Sequence, residues 1–422
     1  MSNSLQSIVM NVDVVGMPNL KMSQYFKSFE VEMSSSTAWV GSMSLFDPDT
    51  DVLENAFRQL GSGAVLEITL GREGNAPLAT RRFRAAVTMS VPSFEHTGTT
   101  IKLDLVSTPR LRDILGRVNL GFRAGYEASA AVRWAAEQRE WITTTRDGRD
   151  TIETTASTLP EDVSTNGESV FKFIREQLRP RSVNTKGKGG YSCYFDGDNV
   201  FHFHTPNFLA PKRETVIYAH DPQGDVISFS VSDNKIFQMV SGGGDATYTG
   251  VDSASGEATE TQTSYADGVE SGGIPLIAGA DARPSNEDLF NVPYQNTLPP
   301  RTFVFARTSK TVKEIAEAQW ESLRQASYSA ALSRMGSHSV DMLDYLDVQI
   351  YSRSGKLHYL SGSFQIIGLS HSVDSSNWTT DYKIQRSGIQ SIAGTVPAAG
   401  SSIYTPGLLD GQGGYSLPVE GE

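Results

Sequence analysis

The chain has 422 residues and a mass of 45.9 kDa, room for two to four domains that each bury a core of their own. Its 36 basic and 48 acidic residues, a net charge of −12, exclude a strongly basic nucleic-acid grip. The single cysteine, Cys193, excludes an internal disulfide and a cysteine metal cluster.

Residues 5–15 alternate, with Ile8, Met10, Val12 and Val14 on one face, the period of a half-buried strand. Residues 25–33 repeat the pattern through Tyr25, Phe29, Val31 and Met33, and a third run sets Trp39, Gly41, Met43 and Leu45 together. Asp47-Pro48-Asp49 breaks that strand. Asp49 or Thr50 then caps a predicted short helix striped by Val52, Leu53, Ala56, Phe57 and Leu60 and ended by Gly61. Strands resume at 64–70, 83–89 and 101–106. The first ~107 residues thus read as a small β-sandwich or barrel with a covering helix.

The next stretch is helical at 109–118 and 127–139. A third helix starts at Asn166, carries Val170, Phe173, Ile174 and Leu178 at helical spacing, and stops at Pro180. Tyr191, Cys193 and Phe195 then alternate, Asp196-Gly197-Asp198-Asn199 turns, and 200–204 returns as a hairpin. Residues 108–212 make an α+β middle module.

Strand patterns return at 215–220, 226–231 and 236–240. Residues 241–300 interrupt them with nine acidic residues and one basic residue, Arg283. This Gly/Ser/Thr-rich window is predicted to be a solvated, at best partly ordered insertion whose one apolar knot is 274–277. A short strand is expected at 303–306. A long helix is expected over 311–333, with Val312, Ile315, Ala316, Gln319 or Trp320 and Leu323 on one side. Strands follow at 339–350, 356–369 and 379–385, then an extended tail over 389–422. The fold class is therefore mainly β with an α+β middle, the β-unit with its helix occurring twice.

No apolar run reaches the ~18–20 residues of a membrane span. The opening MSNSLQSIVMNVDVV lacks a basic n-region and an apolar h-region, which predicts no signal peptide and folding in a cytoplasm. Catalytic motifs are not met. His202 and His204, two apart on a strand, share a face, but Asp196 and Asp198 are the only local co-ligands and zinc or calcium spacing is absent. His371 precedes Asp374, Ser375 and Ser376 without a nucleophile elbow. Glu137, Glu140, Glu161, Asp162, Glu168 and Glu176 supply carboxylates without a glycosidase context. Gly61-Ser62-Gly63, Gly242-Gly243-Gly244 and the 186–190 run fail as phosphate loops. No catalytic, cofactor or metal site is expected.

The block LSGSFQIIGLSHSVDSSNWTTDYKIQR, residues 360–386, resembles the closing hairpin of phage-tail baseplate hub proteins. There a strand, His371, the acidic turn at Asp374 and Trp378-Thr379 lead into a last strand ending in Arg386. The hairpin YSCYFDGDNVFHFHTP, residues 191–206, is similar to the one closing the hubs' middle module. The resemblance implies two tail-tube-like β-barrel or sandwich domains, each with a flanking helix. These are 1–107, and 213–240 with 301–388, around the 108–212 module, with 241–300 as insertion and 389–422 as tail. It further implies a homotrimer whose six β-domains form a pseudo-sixfold ring, with tail-tube-type proteins above and a separate spike protein below. Contacts with tape-measure and wedge proteins, a lumen that passes genome DNA without binding it specifically, and a place in the virion baseplate after assembly in the host cytoplasm complete the implied role. A hub of a related contractile injection particle fits the same pattern. A tail-associated peptidoglycan hydrolase and a cell-wall-binding protein, the latter needing exposed aromatics near Trp134 or Trp141, are the competing classes.

Overall fold

The computed structural model describes residues 8–386, apart from 54–62, 73–80, 219–225, 234–244, 253–257, 265–302, 307–327, 352–357 and a few shorter stretches. In the first third, β1 is Ile8–Val14, β2 Phe26–Ser34, β3 Thr37–Asp47, β4 Val65–Arg72, β5 Arg81–Glu95 and β6 Gly98–Ser107. The predicted alternation is realised: Val12, Val14, Phe29, Val31, Met33, Trp39, Met43 and Leu45 are buried, while Glu30 and Glu32 between them are exposed. The helix expected over 52–60 lies outside the described residues save Leu53, whose N–H donates to the buried Asp47 carboxylate at 3.0 Å. β5 runs six residues past its expected end at Met89, through Pro92. Proline is tolerated because residues 88–95 pair with β6 on one side and with no described strand on the other.

The middle module holds helices Thr108–Leu115, Ala128–Glu137 and Val170–Phe173, the last continued by a π-turn, Ile174–Leu178, and a 3-10 turn, Arg179–Arg181. Its short pairs are β7 Gly121–Phe122 with β10 Val163–Ser164, and β8 Thr145–Arg146 with β9 Arg149–Asp150. The hairpin β11 Ser192–Phe195 and β12 Phe201–His204 falls where it was expected. The third helix begins at Val170, not near Asn166, which is itself outside the described residues. Its first N–H groups are taken by Ser169 and by the carboxylate of Asp113, which reaches over from the helix Thr108–Leu115.

The rest supplies β13 Arg213–Tyr218, β14 Val226–Asp233, β15 Asp245–Asp252, β16 Ala258–Ser264, β17 Phe303–Ala306, β18 Tyr328–Met335, β19 Tyr345–Ile350, β20 Gly362–Asp374 and β21 Trp378–Arg386. Twelve strands form one sheet, ordered β1-β4-β5-β6-β3-β2-β20-β21-β18-β14, with β19 on β20 and β13 parallel to β19. The pairing of β2 with β20, Val31 opposite His371, joins the two β-units into that sheet. In the core beneath it, Phe83 lies 5.7 Å from Phe29, 5.9 Å from Trp39 and 5.9 Å from His371, ring centre to ring centre.

Three expectations shift. Residues 328–333, placed at the end of a long helix, are strand: β18 is sandwiched between β14 and β21, and two ladders outweigh the helix propensity of Ala and Leu. The remainder of that helix, and the strand expected at 236–240, lie outside the described residues. The strand expected over 339–350 starts only at Tyr345. The Asp344 carboxylate accepts from the Asp341 N–H at 2.8 Å and Leu343 takes φ +67°, which makes a turn. Finally, β17 pairs with β15, and β15 with β16, in a separate three-stranded sheet. Part of the insertion is thus a Thr-rich hairpin; 274–277 and the tail lie outside the described residues.

Candidate functional site: the polar sheet face and the junction beneath it

Seven neighbouring strands, β6, β3, β2, β20, β21, β18 and β14, bury one face and expose the other, and the outer half of β5, exposed on both faces, extends the run to eight. Period two dictates the division. Met33, Leu103, Leu369, His371, Trp378, Tyr382 and Leu332 point to the core. The opposite face carries Glu30, Glu32, Asp104, Asp374 and Asp381 against Lys102 and Lys383, with small residues such as Ser42, Ser228, Ser230, Ser370 and Ser372 between them. It holds a groove of about 850 Å³. Lys383 Nζ lies 2.8 Å from Glu32 Oε1, an exposed pair across β21, β20 and β2. Five carboxylates against two ammonium groups leave the face negative, with Met89 and Val91 as its large apolar side chains at the β5 edge.

Both ends of this run are open. Among the described residues β14 pairs only with β18 and presents an exposed Ile227, and residues 88–95 pair only with β6 and present Met89, Val91 and Phe94, the last 66 % exposed. Unpaired N–H and C=O groups beside exposed apolar side chains form an edge ready for another strand.

On the buried side the middle module is locked to the sheet by the β11–β12 turn. Trp39 Nε1 donates to Asp196 O at 2.9 Å, Arg84 N to Gly197 O at 3.0 Å and Asn199 Nδ2 to Arg84 O at 2.8 Å. A β-carbon on Gly197 would lie 2.5 Å from the Arg82 carbonyl oxygen, so this approach requires glycine. The sequence showed the turn; nothing local in it showed where the turn docks.

Charged groups meet at this junction. Asp341 accepts from Arg81 at 2.5 Å and from Arg146 at 3.0 Å, and Arg146 also faces Asp196 at 3.5 Å. Burial opposes ionisation of Asp341, but the two guanidiniums hold its carboxyl well below the usual range. His202 lies flat on Tyr194, ring centres 4.6 Å apart. His204 Nδ1 donates to Thr205 O at 2.8 Å, so its bare Nε2 accepts from His202 Nδ1 at 3.3 Å; His202 Nε2 faces Asp196 Oδ2 at 3.2 Å. Burial, then the neighbouring His202, push His204 down to about 3. These contacts engage both nitrogens of each ring.

The other sequence candidates are dispersed. His371 is buried and far below its ordinary pKa through burial first and Arg81 second; its Nδ1 meets Thr380 Oγ1 at 3.0 Å and Trp378 Nε1 at 3.3 Å. Asp374 instead closes the exposed turn, accepting from Ser376 N and Asn377 N at 2.7 Å. Glu140 pairs with Arg112, Asp162 accepts from Ala124 N, and Glu168 and Glu176 flank Lys172. Glu161 lies outside the described residues. Among the described residues no group of three or more His, Cys, Asp or Glu is placed to hold a metal ion, and no helix is long and apolar enough to cross a membrane.

No protein-family model and no curated protein matches the chain. Solved structures do. A tail protein from Neisseria meningitidis superposes with a TM-score of 0.59 at 10% identity, covering 91% of this chain and 98% of that one. The 43 kDa tail protein of prophage MuSo2 from Shewanella oneidensis gives 0.55 at 11%, covering 90% and 98%. An Escherichia coli component of the type VI secretion system, described as structurally similar to the T4 bacteriophage tail proteins gp27 and gp5, gives 0.52 at 10%, covering 90% and 77%. The mainly β fold expected from the alternating strand pattern is the fold these phage tail and secretion proteins share.

Proposed function

We propose that the chain is a structural baseplate hub of a phage tail, with the same role in a related contractile injection particle as the variant that the secretion-system neighbour favours. Its units are 1–107, 108–212, and 213–240 with 301–388, and it is not an enzyme. One observation carries the reading: an eight-strand run with a polar, negative face ends in two open edges, β14 and residues 88–95. Three copies set edge to edge close that run into a ring, which removes both of those edges. Two β-units per copy give the ring its pseudo-sixfold character, so it meets a hexameric tube on one side and a threefold spike, a separate protein, on the other. The polar face then lines the lumen, where excess carboxylates repel passing DNA. Tape-measure and wedge proteins are the further neighbours of such a ring, in a virion tail assembled in the host cytoplasm.

Light scattering on concentrated protein tests this. Three copies per particle, seen as rings by electron microscopy, are expected. A monomer that also stays single with tube and spike proteins would overturn the reading.

A further inference from the structure

The middle module carries an aromatic groove on its outer surface that the hub role does not use. Ala130 and Trp134, four residues apart, stand on one face of the helix Ala128–Glu137, and Tyr126, just before the extended N-cap Glu127, lines the same groove. Trp134 is 41 % and Tyr126 44 % exposed, high values for two aromatic side chains. Both pack on Phe122, Trp134 edge-on at 5.6 Å and Tyr126 tilted at 5.6 Å between ring centres. That buried ring fixes the two exposed ones, so they present pre-set faces to solvent. A groove of about 390 Å³ runs between them, floored by Ser129, Ala130 and Thr154 and bordered by Glu127, Arg133 and Glu137.

From this geometry we propose that the groove binds a neutral oligosaccharide, a pyranose ring lying against the Trp134 and Tyr126 faces. The axial C–H groups of a pyranose are slightly positive and suit the negative face of an aromatic ring. Its hydroxyls need fixed acceptors at the rim. Glu127, whose carboxylate accepts from Ser129 Oγ, and Glu137, whose carboxylate makes no hydrogen bond or ion pair among the described residues, supply them. Arg133 is held by Asp150 Oδ2 at 2.7 Å, which fixes its remaining N–H groups as donors. Two rim carboxylates against one paired guanidinium disfavour anionic glycans. A protein partner fits less well. A stable protein interface needs ~800 Å² on each side, whereas this aromatic patch is bounded by the charged Arg133, Glu137 and exposed Gln138. The groove has the size and mixed aromatic–polar lining of a small-ligand site.

The test is calorimetry and saturation-transfer NMR on the full chain with the N-acetylglucosamine tetramer and the cellulose tetramer. Binding with a dissociation constant on the order of 1 mM is expected for so open a site. Trp134→Ala and Tyr126→Ala, each checked for an unchanged unfolding midpoint, lose at least roughly tenfold in affinity. Trp134→Phe, which keeps a ring in place and guards against loss of folding, retains binding within about threefold. Four results would each overturn the proposal. These are no binding of either tetramer up to about 10 mM, binding unchanged in both alanine variants, preference for a sulfated oligosaccharide, and loss of assembly with partner proteins in the alanine variants of a sugar-silent chain.

Discussion

Gly336 lies flat against the indole of Trp378: a β-carbon there would fall 2.1 Å from Cδ2 of the ring, and Gly336 N donates to Trp378 O at 2.6 Å. The contact closes the corner where β18 meets β21. Trp378 is fully buried, with Nε1 on His371 and its ring stacked on His338.

Trp378→Ala should therefore cost about 3–5 kcal/mol, and Gly336→Ala should be comparably harmful because the added methyl overlaps the indole. Chemical denaturation followed by far-UV dichroism reads both. Soluble, fully stable Trp378→Ala protein would show that the corner is not needed.

Asp341 neutralises Arg81 and Arg146 at the junction between sheet and middle module. Asp341→Asn leaves two guanidiniums short of a counter-charge and should destabilise by about 3–5 kcal/mol. Replacing Arg146 as well should recover part of that loss. A denaturation midpoint unchanged in Asp341→Asn would rule the network out as a support.

Asp341, His204 and His371 shape the acid response, the two histidines with the same sign. Asp341 is depressed in the folded state, so its contribution is present above the ordinary Asp value of about 3.9 and is lost as pH falls below it. His204 is held neutral down to about 3, whereas an unfolded His takes up a proton near 6.5. The unfolded chain binds that proton first, so stability falls as pH drops from about 6.5 toward 3. The thermal midpoint should be lower at about pH 4.5 than at pH 7.5, and His204→Gln should flatten that slope. An identical slope in the variant would refute the role given to His204.

Edge pairing is checked with charges. Val91→Lys or Ile227→Lys, both at exposed edge positions, should block assembly into trimers while leaving the thermal midpoint of the single chain within about 2 °C. Trimers that survive both substitutions, seen by light scattering, would remove these edges from the interface.

Deleting residues 243–273 removes β15 and β16, which pair with each other and with β17 but not with the twelve-stranded sheet. The main unfolding midpoint should move by no more than ~2 °C. A drop of roughly 10 °C would mean that the insertion supports the core.

What the sequence determined by itself is what period and turn chemistry encode locally. Alternation placed Phe29, Val31 and Met33 inside and Glu30 and Glu32 outside, and Asp196-Gly197-Asp198-Asn199 announced its hairpin, because each depends on neighbours a few residues away. The alternating runs carried the mainly β class for the same reason, and the closing motif through His371 and Trp378, one continuous hairpin, carried the family resemblance. Aromatic content near Trp134 was visible too, but its exposure was not, since a helix stripe shows its face only when something covers it. Tertiary structure alone decided the rest. β18 is a strand because β14 and β21 flank it, whatever the local preference of its Ala and Leu. The two β-units are one sheet because Val31 pairs with His371, 340 positions further along the chain. The Arg81–Asp341 and Arg146–Asp341 contacts follow from that closure. Long-range ladders and buried charge pairs are set by which surfaces meet, and no local window of sequence contains both partners.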